Sequence, residues 1–183
     1  MMRISNILQV TLLVATSIWG VVSQPTQAVQ LADGTVYFVQ PPHLLEATTT
    51  QRSVNVWGAT YYFTLSLPEN AGEPLQRITI TQQEGGGSIN YYLKSTQAFE
   101  GTRQHRGARI ALRAVTMNAS LPTVEVIFNP PVPPGKTVTI GLRPVRNPSL
   151  KGMYLFGVTA FPPGEKAHGQ FQGFGRFNFE GRG

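Results

Sequence analysis

The sequence predicts an all-β fold, a single immunoglobulin-like sandwich of about seven to nine strands. Three observations predict it. Apolar and polar residues alternate with period two through most of the chain after residue 28. Proline and glycine clusters interrupt that alternation at strand-length intervals. Helical spacing of comparable strength is found nowhere in the same region. Successive strand side chains point to opposite faces, so each alternating run reads as one buried face and one wetter face.

In chain order, Tyr61, Phe63, Leu65 and Leu67 share one face, with Tyr62, Thr64 and Ser66 on the other. Ile78 and Ile80 alternate with Arg77, Thr79 and Thr81, and Ile110 and Leu112 with Arg109, Ala111 and Arg113. Val124, Val126 and Phe128 then alternate with Thr123 and Glu125, and Val138, Ile140 and Leu142 with Thr137 and Thr139. Tyr154, Phe156 and Val158 oppose Leu155 and Thr159. Phe177 and Phe179 oppose Arg176 and Asn178, and the end carrying Phe171, Phe174, Phe177 and Phe179 reads as a core-closing last strand.

The breaks have mechanisms of their own. Glu84-Gly85-Gly86-Gly87-Ser88 reads as a hairpin tip, because glycine reaches positive φ without steric cost. Asn129-Pro130-Pro131-Val132-Pro133-Pro134-Gly135 reads as a stiff connection between strands, since proline donates nothing to a ladder. Short strands with such turns between them argue for a sandwich or barrel.

The first 28 residues read differently. Met1 to Asn6 carry Arg3 and no acid, and Ile7 to Val22 are uncharged and mostly apolar. A polar stretch then ends on Ala28. A positive start, a short apolar core and a small-residue exit make a secretory signal peptide, expected to be cleaved before Val29. An apolar core of about 16 residues is short of the roughly 20 that a membrane helix needs. Residues 29–183 are then expected to form one exported domain, in the periplasm or on the outer cell surface, with no membrane span. The chain has no cysteine, so its stability rests on core packing and hydrogen bonds, without disulfides.

Fifteen Lys and Arg, less Arg3, stand against nine acids, a net charge of +5 for residues 29–183. This excess favours anionic neighbours such as an envelope polymer or another exported protein. Nucleic acid is not expected, because no basic run is interleaved with aromatics in a binding pattern.

Catalytic signatures are missing. A nucleophile needs a base beside it, and neither cysteine nor a Gly-x-Ser-x-Gly elbow is present. Glu100 is the first acid to test for glycoside chemistry, which needs a second carboxylate; its plainer role is an ion pair with Arg103 or Arg106. Asp33 is the only aspartate, so a calcium loop is not expected. Copper or zinc would have to use His43, His105 and His168, which are far apart in the chain and without short His-x-His spacing. No cofactor is expected. A copper- or zinc-handling periplasmic protein, or an enzyme with a site assembled from scattered residues, are the alternatives.

Arginine is the unusual feature. Arg103, Arg106, Arg109 and Arg113 fall within eleven residues, and Arg143 and Arg146 form a second pair. Arg109 and Arg113 are expected on one outward strand face. Guanidinium groups bind carboxylate and phosphate bidentately, so such a face suits an anionic polymer or acidic partner. Of each pair Tyr61–Tyr62 and Tyr91–Tyr92 one ring should face the core and one solvent. With Trp57, the outward Tyr62 would supply a stacking surface for sugar rings. The candidate binding residues are therefore Arg103, Arg106, Arg109, Arg113, Trp57 and Tyr62, in a non-catalytic interaction module that binds an anionic or glycan-containing partner.

Several strings carry a family resemblance. They include Tyr37-Phe38-Val39-Gln40-Pro41-Pro42, Gly58-Ala59-Thr60-Tyr61-Tyr62-Phe63-Thr64-Leu65, Ala98-Phe99-Glu100-Gly101-Thr102-Arg103 and Pro130-Pro131-Val132-Pro133-Pro134-Gly135. Gly141-Leu142-Arg143-Pro144-Val145-Arg146-Asn147-Pro148, Tyr154-Leu155-Phe156-Gly157-Val158-Thr159-Ala160-Phe161-Pro162 and Gly173-Phe174-Gly175-Arg176 follow in order. From about Val36 to Phe179 the chain resembles the cyanobacterial exported family known as domain of unknown function 2808. The resemblance implies a cyanobacterial source and an envelope location, and carries over no functional residues.

Overall fold

The computed structural model describes residues 29–118 and 120–181; the expected signal peptide and its expected exit at Ala28 lie outside the described residues. Two short strands, β1 (Val29–Gln30) and β2 (Val36–Tyr37), form a ribbon. The rest builds two five-stranded antiparallel sheets. The first is ordered β3 (His43–Thr49), β4 (Tyr61–Ser66), β10 (Thr137–Leu142), β6 (Gln97–Gly101), β7 (Arg106–Ile110). The second is ordered β12 (Gln170–Phe179), β11 (Gly152–Phe161), β5 (Leu75–Glu84), β9 (Thr123–Val132), β8 (Leu112–Asn118). The architecture is a β-sandwich of two antiparallel sheets. Its two sheets hold ten strands, more than the alternating runs suggest. His43–Thr49 is a bulged strand without clean alternation, and one continuous run supplies both β7 and β8.

The core lies between the sheets and follows the alternation. Tyr61, Phe63, Leu65, Val138, Ile140 and Leu142 face inward from the first sheet. Ile78, Ile80, Val124, Val126, Phe128, Tyr154, Phe156, Val158, Phe177 and Phe179 face them from the second. Tyr61, Phe63, Phe156 and Phe177 pack as a cluster with ring centroids 4.9–6.1 Å apart. Tilted and edge-on aromatic pairs of this kind contribute about 0.5–1.5 kcal/mol each beyond the area they bury.

Four sequence expectations are corrected. Gly85–Ser88 is no hairpin tip: β5 pairs with β9 and β11, and the chain leaves it for the opposite sheet. Pro130 and Pro131 lie inside β9, where the register against β5 slips, and the connection to β10 begins only at Pro133. Arg109 and Arg113 do not share a face, because the chain changes sheet at Ala111. Strands that turn a corner between packed sheets do so at such bends and bulges. Only Phe177 and Phe179 close the core, whereas Phe171 and Phe174 are each 55% exposed and pack on one another outside. The register slips where β11 passes Val158 to Thr159, and this reverses the side to which Phe171 points.

Among the described residues no helix is long and apolar enough to cross a membrane.

Candidate functional site: an arginine and aromatic face

The outer face of the first sheet carries the candidate site. Three residues lie side by side across it: Tyr62 on β4, Gly141 on β10 and Gln97 on β6. A Cβ at position 141 would stand 3.0 Å from Tyr62 Cε1 and 3.3 Å from Thr60 Cγ2. The missing side chain lets the Tyr62 ring lie across the strand and opens a groove of about 290 Å³. Gly58, Thr60, Tyr62, Ser95, Gln97, Arg106, Gly141 and Arg143 line it.

The hairpin between β6 and β7 brings the arginines to this groove. Its root is Gly101, whose positive φ of 82° favours glycine and whose Cβ would run into the His105 carbonyl. Thr102 N–H donates to the His105 carbonyl at 3.2 Å, and His105 N–H donates to Thr102 Oγ1 at 3.2 Å. Beneath it, the buried Thr139 hydroxyl donates to the Gly101 carbonyl at 2.7 Å and lies 2.9 Å from the Thr64 hydroxyl. This tight loop carries Arg103 and delivers Arg106 to the start of β7.

Both guanidinium groups settle on aromatic rings. Arg106 Cζ lies 4.8 Å from the Phe99 ring centre and 5.5 Å from that of Tyr62, and its Nη2 donates to the Tyr62 hydroxyl at 2.9 Å. Arg103 Cζ stands 5.5 Å from the Tyr62 ring. Contacts of this kind contribute about 0.5–1 kcal/mol at exposed sites. They orient each guanidinium while leaving N–H donors for a ligand. Phe99 faces outward, yet is only 6% exposed because Arg106 and Tyr62 cover it. Arg109, paired with Phe99 in register, adds a further charge on the same face.

Among the described residues no acid forms an ion pair with these arginines, although Glu46 stands on the same face in register with Thr64. The two ion pairs among the described residues are Arg77–Glu125 at 2.8 Å and Lys136–Glu100 at 3.2 Å. Glu100 therefore pairs with Lys136 and not with Arg103 or Arg106, since the Arg106 side chain turns onto Phe99.

A second group of residues adjoins the first. Arg143 Cζ lies 5.9 Å from the Tyr92 ring, and Arg146 Cζ 5.5 Å from the Trp57 ring. Tyr91 and Tyr92 divide as the alternation predicts. Burial raises the Tyr91 hydroxyl pKa well above the ordinary tyrosine range, while Tyr92 stays exposed.

Of the six residues named from sequence, Arg103, Arg106 and Tyr62 meet directly, and Arg109 joins their face. Trp57 sits at the adjoining groove, and Arg113 stands on the edge strand of the other sheet. Phe99 and Gly141 went unpredicted. Gly141 had a signal: it is a glycine at an outward position of a strand interior, which marks a close approach. His43 lies on β3, His105 in the hairpin and His168 against Tyr37 at 4.7 Å. Among the described residues no three of His, Asp and Glu gather as a metal site.

A search of curated protein sequences finds no match. Among solved structures, the chain is similar to the collagen-binding domain from a Staphylococcus aureus adhesin, at 10% identity and a TM-score of 0.39, covering 74% of this chain and 97% of that one. It is also similar to the C-terminal domain of the Streptococcus agalactiae AgI/II polypeptide BspA, at 12% identity and a TM-score of 0.43, over 75% of this chain and 49% of that one. The C-terminal domain of the Streptococcus pyogenes antigen I/II-family protein AspA gives 12% identity and a TM-score of 0.42, over 73% and 46%. The chain thus spans about half the length of the two streptococcal domains. The family model described as "Protein of unknown function (DUF2808)" matches residues 35–179, so the protein belongs to the DUF2808 family.

Proposed function

We propose that the protein is a non-catalytic interaction module of the extracytoplasmic envelope, holding an anionic partner on the outer face of its first sheet. One observation carries this reading. Arg106 and Arg143 line one groove and Arg103 stands over the Tyr62 ring beside it, each held against an aromatic ring, and no acid pairs with them among the described residues. Planar guanidiniums fixed in this way present paired donors to carboxylate or phosphate. The leader pattern of residues 1–28 supports export.

Charge reversal tests it. Arg103→Glu with Arg106→Glu should weaken binding of polygalacturonate about 10- to 100-fold at low salt, the worth of one or two charge-assisted hydrogen bonds. Unfolding free energy should fall by about 1–2 kcal/mol, the ring contacts and the cover over Phe99 that these side chains supply, and the domain should stay folded. Binding by the unaltered protein should fall steeply between about 0.01 M and 1 M salt, as the screening length shrinks from about 30 Å to about 3 Å. Binding that survives the double reversal with the same salt dependence overturns the proposal.

A further inference from the structure

We infer that the groove beside Trp57 is a sugar-stacking subsite, which makes the partner an acidic polysaccharide; this rests on the anion-binding reading above and names its ligand class. The groove encloses about 390 Å³ and is lined by Trp57, Ser88, Asn90, Arg146, Pro148 and Ser149, among others. Trp57 is 62% exposed, a large apolar area to leave in water. Arg146 lies over its ring at 5.5 Å, and most of the indole surface stays open.

The indole is held on a braced loop. Asn147, 2% exposed, donates through Nδ2 to the carbonyls of Gln51 at 3.0 Å and Ser53 at 2.9 Å, and accepts from the Tyr61 hydroxyl at 2.9 Å. Its N–H donates to the Val56 carbonyl at 2.8 Å, and Asn55 N–H donates to the Pro148 carbonyl at 3.0 Å. The segment bearing Trp57 is thus tied to the segment bearing Arg146 before any ligand arrives. Such preorganisation lowers the entropic cost of binding.

The chemistry around the ring selects a sugar. An apolar side chain of a partner protein would want an enclosed apolar pocket, whereas here one aromatic face is bordered by hydroxyls and an amide. The Ser88, Asn90 and Ser149 side chains make no hydrogen bond among the described residues. A pyranose presents an apolar C–H face and an equatorial rim of hydroxyls, which matches a ring beside free donors and acceptors.

The two grooves adjoin. Trp57 lines one and Gly58 the other, and Arg146 lines one and Arg143 the other. Tyr62 follows Trp57 by five positions, at most about 17 Å of extended chain, which a short oligosaccharide spans. A chain stacked on Trp57 therefore carries its charged groups, carboxylate or sulfate, onto Arg143, Arg106 and Arg103.

Trp19 and Trp57 are the only tryptophans, so the full chain carrying Trp19→Phe reports on Trp57 alone. Its emission is followed during titration with hexagalacturonate, a sulfated dextran of similar length, and a hexa-aspartate peptide. Either acidic sugar should shift the emission to shorter wavelength, and whichever binds more tightly identifies the charged group. By titration calorimetry, Trp57→Ala should lower affinity for that sugar about 3- to 10-fold, with Trp57→Phe recovering part of the loss, and should leave hexa-aspartate binding unchanged. Sugar binding with unmoved emission and no loss in Trp57→Ala overturns the subsite and leaves the anion reading intact. Sugar and peptide binding that both ignore Arg103→Glu with Arg106→Glu overturns the anion reading itself.

Discussion

Replacing Asn147 by alanine tests how the loops around the site are held. Its carboxamide joins three places distant in sequence: the Tyr61 hydroxyl and the carbonyls of Gln51 and Ser53. Tyr61 is fully buried, so losing Oδ1 takes away its hydroxyl's partner, at about 1–3 kcal/mol. Gln51 is exposed and its carbonyl can turn to solvent, while the partly buried Ser53 carbonyl loses about 1 kcal/mol. Asn147→Ala should therefore cost about 2–4 kcal/mol in urea unfolding, or roughly 5–15 °C in Tm for a domain of this size. Tyr61→Phe removes the stranded hydroxyl, so the double variant should be about 1–2 kcal/mol more stable than the sum of the single losses predicts. A loss below about 0.5 kcal/mol for Asn147→Ala, or strict additivity in the cycle, refutes the reasoning.

Two further predictions concern Tyr61 and Gly141. Desolvation, with smaller contributions from Tyr91 and Tyr154, raises the Tyr61 pKa far above its ordinary value near 10. The unfolded chain then loses that proton first, so stability is full below pH 10 and falls above it, by up to about 1.4 kcal/mol per pH unit for this group. Urea midpoints at about pH 9 and 11 should show the fall, and Tyr61→Phe should lessen it, leaving the share due to buried Tyr91; an equal slope in both proteins contradicts the assignment. Gly141→Val suits a strand by propensity but drives a side chain into Tyr62 and the groove. It should weaken polygalacturonate binding at least about 10-fold while the far-ultraviolet circular dichroism stays that of the unaltered protein, and unchanged affinity would place the ligand elsewhere.

Alternation disclosed which side of each long strand is core, because burial between two sheets imposes period two on every strand it includes. Tyr61, Phe63 and Leu65, or Val124, Val126 and Phe128, needed no structure to be placed inside. Pairing partners are a different matter. Arg109-Ile110-Ala111-Leu112-Arg113 keeps its alternation straight through the corner at Ala111, since Ile110 and Leu112 both pack on the same core from different sheets. Nothing local marks the change of sheet, so Arg113 looked like a neighbour of Arg109. Glu100 likewise found Lys136 across β10's start, a contact between residues 36 apart in the chain. Phe174 was readable and misread: three residues before the inward Phe177, it falls on the outward side. Phe171 was not readable, because a register slip reversed its side. The candidate site was half legible. Clustered arginines and paired tyrosines announced it, but the folding of Arg106 over Phe99 and the clearing at Gly141 depend on strands brought together from three parts of the chain.

The most direct test of the account follows the arginine side-chain Nε–Hε signals by NMR while hexagalacturonate is added at low salt. The account predicts that Arg103, Arg106 and Arg143 shift together and saturate at one affinity, with Arg77 and Arg176 of the second sheet unmoved. Shifts centred on Arg77 or Arg176, or a uniform drift of all the arginines without saturation, would contradict it.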